Sequence, residues 1–596
     1  MKYRIIILIF AVFGSFNNIF SQNNLDEQTV IIYNEYSPVL KDANRIQSLP
    51  IIIDTAKVTN KFIYNATPSL YQTKFQPNTL SVATLKGETL KPLDNGMIKL
   101  GFGNYITPCV EVFYNNKRNA DYSFGGYLKH FSSHGKTQNA KNQKIYNGFA
   151  NTLANLYGKK FMSRSTLSAD LGFSSNIINY YGYNPDTLEN MTLGDNVLSL
   201  IERKDMERLN IMRLSAVADL QSNNTYKNRF DFNLNVAYKF LFTNANKYAN
   251  NEIGKKNNQN KVDVKFNLNK TIKIHRFGLD AALRFGQMKI DTLVKDNQMF
   301  IEVHPYYKIY HKNWQFHLGA NICEEMFLSD STKPKFHISP NVYLQHNIGN
   351  IFVAYAGVKG GMERNDLDNI SRKNPFINVF NDYSKNTENF LVCDLGFKGY
   401  PTQNIYFNIS GNFSWIKNMP FFVNDTSFKL QNKFLMEYAD VKRFSGFAEL
   451  AFHNFYKFDI SLTGHYYYYL PIDEQYDGQF EKPWHCPNFD ISLITTYHLN
   501  DKLRFGLNFQ VIGPRYAREY ETISALDEFA NPFNKKEIKV TRLKTIVDIS
   551  LFGEYQIFRN FSAFLDINNI TAQKQYYWNN YQSLGFNFLL GLKYIF

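Results

Sequence analysis

Charged side chains recur in this sequence at positions where charge is costly to place. Arg229, Asp231, Lys239, Lys261, Asp263, Lys265, Lys502, Arg504, Lys544, Asp548 and Glu554 lie in stretches where aromatic or aliphatic residues alternate with polar ones. Fixed charges in such rows attract, orient or repel a charged solute, and cations outnumber anions in this set, which favours anions. They can equally pair across neighbouring stretches and simply fill a wet interior, so both roles stay open. Sharper chemistry finds less support. Asp473, Glu474 and Asp477 beside Gly478 offer oxygens, but not at the spacing of a calcium loop. His485 and Cys486 after Trp484 are two donors, and a zinc site needs four, or three and a water. Glu324, Glu325 and Asp330 near Cys323 read as a charged loop rim. No G-x-S-x-G nucleophile motif occurs, and Cys109, Cys323, Cys393 and Cys486 show no metal or redox spacing. Catalytic residues, metal and cofactor are therefore not expected, and the chain does not read as an enzyme.

The elements that must carry these charges are strands. In 229–242, Phe230, Phe232, Leu234, Val236, Tyr238, Phe240 and Phe242 share one face; Arg229, Asp231, Asn233, Asn235, Ala237, Lys239 and Leu241 share the other. Period 2 with two unlike faces marks a strand between an apolar and a wet medium. The pattern returns at 261–269, 314–322, 502–511, 543–555 and 561–567. Lys or Arg at a lipid midplane costs roughly 2–4 kcal/mol, so in a membrane the charged face must be the inner one. The run His465-Tyr466-Tyr467-Tyr468-Tyr469 ends one such stretch and is expected to form an extracellular aromatic girdle.

Connections follow a rule. Short ones near 115–120, 158–160, 311–313, 347–350, 400–403, 500–501 and 558–560 alternate with long ones at 132–144, 174–206, 242–259, 289–298, 324–334, 362–388, 416–441, 469–487, 514–539 and 569–581. Short periplasmic turns and long extracellular loops are the habit of outer-membrane barrels. Counting hairpins, with 97–105 as the first upward strand, predicts an all-β chain: a transmembrane antiparallel β-barrel of about 22 strands. Composition agrees, with 53 Phe and 40 Tyr in a chain that is only 44% hydrophobic, because a barrel needs an apolar exterior alone.

The ends complete the picture. Lys2 and Arg4, the apolar run 5–13 and the polar stretch 17–21 predict a signal peptide over 1–21. Residues 22–96 are punctuated by Pro38, Pro50, Pro68, Pro77 and Pro92 and read as a short irregular N-terminal periplasmic or plug-like segment. The barrel is expected over 97–596. In 584–596, Leu584, Phe586, Phe588, Leu590, Leu592, Tyr594 and Phe596 alternate with smaller or polar residues. This stretch resembles the C-terminal strand of Gram-negative outer-membrane barrels, and the resemblance implies that Phe588, Leu590, Leu592, Tyr594 and Phe596 are read by the barrel insertion machinery.

Strand rhythm, length and a preceding segment together resemble the TonB-dependent receptors of the outer membrane. Thr29-Val30-Ile31-Ile32-Tyr33 is similar to the short box by which that family meets its energy-coupling partner. The family's globular plug is larger than 22–96 allows, so a full plug is not expected. The resemblance implies a receptor-like transport protein of the cell outer membrane for an unidentified solute. Outer-membrane lipid, the insertion machinery and a periplasmic energy-coupling protein or surface lipoprotein are the implied partners. The net charge of +14 in an exported chain points either to anionic lipid or solute or simply to loops solvated by Lys and Arg, and not to nucleic acid. The alternative is a barrel that scaffolds other outer-membrane proteins or lipoproteins.

Overall fold

In the computed structural model the described residues are 93–139, 142–184, 207–223, 230–245, 256–290, 293–328, 333–379, 385–426, 430–472, 482–526 and 532–596. The expected signal peptide, the box 29–33, Arg229, Asp330 and the acidic cluster Asp473, Glu474 and Asp477 lie outside them.

One 22-stranded antiparallel sheet closes on itself. Its first strand, Gly96–Gly103, pairs with its last, Asn587–Ile595, from Met97 opposite Ile595 to Gly103 opposite Leu589. Closure satisfies the backbone of both edge strands, which an apolar solvent could not do. At the seam, the Phe596 carbonyl accepts the N–H groups of Asn95 (2.5 Å) and Gly96 (2.9 Å). The last strand is shorter than expected: Leu584 and Phe586 precede it.

The two faces separate as the alternation requires. Leu395, Ile338 and Phe102 point outward and are 68%, 64% and 59% exposed. On the last strand Phe588, Leu590, Leu592 and Tyr594 are exposed on that same outer side. An apolar belt of this extent would be an aggregation surface in water and is at rest in lipid.

Wall height is uneven. The strands beside the seam are short: Gly96–Gly103 has 8 residues, Thr107–Asn115 has 9, Phe561–Asn568 has 8 and Asn587–Ile595 has 9. Elsewhere they run to 20 in Ile405–Asn424 and 22 in Phe434–Phe455. At ~3.3 Å per residue the longest reaches roughly 70 Å, well beyond a hydrocarbon core of about 30 Å. These strands stand above the membrane on the side of the long connections.

Several long connections are themselves structured. Within the connection read as 514–539, Arg515–Leu526 pairs with Pro532–Leu543. Smaller hairpins form from Lys136–Gln138 with Lys144–Tyr146 and from Tyr576–Trp578 with Tyr581–Gln582. The connection 362–388 holds a helix, Leu367–Lys373. One short turn is misplaced by the sequence reading, since 158–160 belongs to strand Phe149–Phe161 and the chain turns at 162–164.

Candidate functional site at the barrel mouth

The helix Leu367–Lys373 is local chemistry held by distant partners. Asp366 caps it, accepting the Asn369 N–H at 2.9 Å, with Asp368 in the first turn and Arg372 and Lys373 in the last. Seven residues are too few for a helix to persist alone. What fixes it is the inner barrel wall. Arg213, on strand Arg208–Ser222, donates from Nε to Asp368 (2.8 Å) and from Nη2 to Ser371 (2.7 Å). Lys261, on strand Lys256–Ile272, meets Asp368 at 2.8 Å and Asp366 at 3.2 Å. Arg364 closes on Asp366 at 2.8 Å, and Gln259 accepts the Asp368 N–H at 3.1 Å. Asp366, Asp368, Arg213, Lys261 and Arg364 are all buried. Burial pushes the Asp368 carboxyl up, but Lys261, Arg372 and Arg213 outweigh it and hold the group well below the usual carboxylate range.

The far end of the segment is anchored too. The Asn386 amide donates to Glu325 at 2.5 Å and Gln298 at 3.2 Å, while its Oδ1 accepts the Asn365 N–H at 2.9 Å. Between the anchors, Leu367, Ile370, Ile377 and Val379 join Leu209, Ile211, Leu241, Met288, Phe422 and Phe434 of the wall strands, with Tyr180 and Tyr581 of the connections, in one apolar core. Residues 364–379 thereby lie against the inner wall at the mouth, held by apolar packing and by ion pairs.

Two buried titratable groups sit in the surrounding loops. The His485 Nε2 accepts the Asn579 N–H at 3.3 Å, so Nδ1 carries the proton and donates to the Phe422 carbonyl at 2.9 Å. Burial pushes this imidazole down to about 4; the Phe422 carbonyl opposes the shift and Arg515 adds to it. The Glu207 carboxyl is pushed up to about 7 by burial, against Lys433 and the Asn432 amide. Trp484, 1% exposed, packs with Ile416, Phe421, Val423 and Val441. The Trp484-His485-Cys486 run packs in these loops, and among the described residues no group of three or more His, Cys, Asp or Glu is placed to hold a metal ion.

Below the mouth the inner wall lines a cavity of ≈ 190 Å³. Arg284 meets Glu302 at 2.8 Å, and His337 lies 3.3 Å from Glu388, which Lys417 approaches at 3.2 Å. Opposite charges alternate around this cavity, a lining suited to a polar solute.

The sequence-derived residues fall into groups. Lys239 pairs opposite Lys261, and Lys265 opposite Asn235, on the face away from outward Val236 and Tyr238. Lys239 lies 3.9 Å from Asp263. Asp231 faces Asn269 on that same side. Arg504 and Lys593 both pair with Glu554, and Gln575 donates to Asp548 at 3.3 Å. Two expectations need correction. Lys502 is exposed in the turn before strand Leu503–Ile512, and Lys544 is exposed in the link between Leu543 and Ile546. Both stretches end in turns there, so alternation no longer assigns a face. Glu324 and Glu325 lie in strand Trp314–Phe327 on opposite faces and not on a loop rim. The tyrosine run divides likewise: Tyr466 and Tyr468 are exposed outward, while His465 and Tyr467 stack at 6.0 Å on the inner face.

Sequence reasoning missed Arg213, Asp366, Asp368 and Glu388. A signal existed in the apolar residues that interrupt the polar face near the strand ends. Leu241, Leu209 and Ile211 sit inward and are almost fully buried, so something apolar must cover them.

No family model matches the sequence, nor does any curated protein. Solved structures do. The copper transporter OprC superposes with a TM-score of 0.61 at 10% identity, over 85% of this chain and 81% of its own. The FrpB iron transporter of Neisseria meningitidis gives 0.62 at 9%, over 85% and 81%. The ferric-catecholate import receptor Fiu of E. coli K12 gives 0.58 at 9%, over 84% and 82%. The chain has the barrel fold of the TonB-dependent receptors. Within this barrel, the described residues 364–379 form a connection that turns against the inner wall. At such identities the likeness speaks for the fold alone.

Proposed function

We propose that this chain is an outer-membrane receptor-like transport barrel of a Gram-negative cell, and that the helix-bearing stretch 364–379 is its gate. The carrying observation is the buried ion network between Asp366 and Asp368 on the segment and Arg213 and Lys261 on the wall. Ion pairs that bury charge contribute little net stability compared with apolar packing, and a switch is their best-attested use. A solute that competes for Arg213 or Lys261 would release the helix. Lys239 and Lys265 remain partly or fully exposed on the inner face and favour an anionic solute. Residues 22–96 are the proposed plug-like segment, with 29–33 meeting a periplasmic energy-coupling protein.

The test is conductance of the reconstituted full chain in planar bilayers. The native protein should conduct little. Replacing 364–386 by a short Gly-Ser linker should yield large, anion-selective steps. A linker variant as silent as the native chain would defeat the gate. A second reading has its own support: an apolar core packs the connection 364–379 against the wall at the mouth, as befits a scaffold barrel. That reading expects the linker variant to lose co-purifying outer-membrane proteins or lipoproteins without gaining conductance.

A further inference from the structure

We propose that the barrel wall parts at its closing seam, with Phe564 as the latch, and so opens a sideways path for an acyl chain between the bilayer and the lumen. This opening is separate from the mouth. Gly96–Gly103 and Asn587–Ile595 meet at the seam, and their side chains do little to join them. On the inner face Lys99 stands directly opposite Lys593, and Gly101 opposite Gly591. Like charges directly opposite repel, and a pair of glycines offers no side chain at all. Each lysine looks away from the seam for its anion: Lys593 pairs with Glu554, and Lys99 stands opposite Glu111 on Thr107–Asn115. On the outer face Leu100 meets Leu592 and Phe102 meets Leu590, all exposed. Lipid tails are as apolar as leucine, so these residues lose little when the strands part. The strands are short, at 8 and 9 residues, so few backbone bonds must break.

One side chain bridges this line. Phe564, on Phe561–Asn568, lies opposite Gly591 and is 5% exposed. Its ring packs with Leu589 of the last strand and Cys109 of Thr107–Asn115 in one buried cluster. It crosses both seam strands where they carry no side chain: a Cβ on Gly101 would stand 3.0 Å from the ring, and one on Gly591 would overlap it. The Lys99 ammonium lies 4.1 Å from the ring centroid, a cation–π contact across the seam. Without the ring, the inner face of the seam keeps one apolar pair, Met97 with Ile595, beside glycine and like charge. An acyl chain fits such a gap. No side chain at Gly101, Gly103 or Gly591 obstructs it, leucines flank its lipid end, and Leu589 and Cys109 form an apolar seat within.

The register supplies an internal control. Gly96 and Phe596 exchange both backbone bonds, at 2.9 and 3.0 Å. Counting on by twos, Ile98, Leu100 and Phe102 direct their amides across the seam, while Lys99 and Gly101 direct theirs to Thr107–Asn115. Lys99 and Lys593 are then a non-hydrogen-bonded pair with Cα atoms about 4.5 Å apart, within reach of a disulfide.

The experiment is amide-resolved hydrogen exchange of the full chain in micelles, joined to photo-crosslinking in liposomes of phosphatidylethanolamine with a photoreactive acyl chain. Phe564→Ala should speed exchange at Ile98, Leu100 and Phe102 roughly tenfold or more, and leave Lys99 and Gly101 nearly unchanged. Lipid crosslinks to the inner-face residues Glu111 and Leu589 should rise with it. The pair Lys99→Cys and Lys593→Cys, in a chain that also carries Cys109→Ala to prevent mispairing, locks the seam by a disulfide. Oxidised, it should abolish those crosslinks, and reduction should restore them. Equal acceleration of both amide sets means that the whole strand frays, and overturns the latch. Crosslinks that persist in the oxidised protein overturn the passage. Should Phe564→Ala not assemble, Phe564→Leu shortens the latch for the same comparison, and the lock, opened and closed with Phe564 in place, still decides.

Discussion

Replacing Asp368 by asparagine should loosen the mouth without disturbing its packing. The amide nearly matches the carboxylate in volume, so Leu367 and Ile370 keep their contacts in the apolar core. What changes is charge: Arg213 and Lys261 (both 2.8 Å away) and Arg372 (2.9 Å) lose their shared anion. Two of these cations are buried: Lys261 is left with Asp366, and Arg213 with only the neutral acceptors Ser371 and Asn176. Removing one partner of a buried pair costs about 3–5 kcal/mol, which raises the open population roughly a hundred- to a few-thousandfold. Arg372→Ala is the control, because that side chain is 61% exposed and its pair contributes below about 1 kcal/mol. Single-channel recording reads the opening frequency directly. Hydrogen exchange at Ile370 and Asn374, whose amides bond within the helix at 2.9 Å, reads the same opening locally. If Asp368→Asn matches the native chain in both measurements, the ion network does not hold the gate.

The remaining predictions concern the cap and the wall. Burial lowers His485 from 6.5 to about 4, so its contribution of about 3 kcal/mol is present above pH 6.5 and lost as pH falls toward 4. Glu207, raised from 4.5 to about 7, acts oppositely, adding stability as pH falls through that window; Glu207→Gln should therefore unmask acid loosening and His485→Gln should abolish it, by cap hydrogen exchange corrected for intrinsic rates. Val236→Arg, on the outer face, should cost roughly 2–4 kcal/mol in refolding into lipid, while Asn235→Arg on the inner face costs little; equal costs would refute the facing. Deleting Phe596 removes the seam hydrogen bonds with Asn95 and Gly96, about 1 kcal/mol each, and should cut surface-assembled protein, measured by heat-shifted mobility of outer-membrane fractions.

Strand number and the alternation within strands were legible before any coordinates. From Phe230 to Lys239 every second residue already declares its side, because a spanning strand meets the same two media whichever neighbours it has. The even count followed from adding a strand before Thr107, and pairing of Gly96–Gly103 with Asn587–Ile595 completes the closure. Legibility failed where that local rule stops. Lys502 and Lys544 stand just past a strand end, and there spacing carries no facing.

The mouth was decided by tertiary structure alone. Arg213 and Asp368 are 155 residues apart, and Tyr181 and Gln582 are 401 apart. No periodicity links such pairs, and Asp366 and Asp368 lie in sequence within the long connection 362–388. A connection long enough to reach water is also long enough to turn inward. Which it does depends on whether inner-face residues such as Leu209, Ile211 and Leu241 offer it an apolar seat. Alternation is determined residue by residue through solvent, and so the sequence carries it. The seat exists only once the barrel curls those residues around a shared axis, so only the closed sheet could decide that the loop folds in.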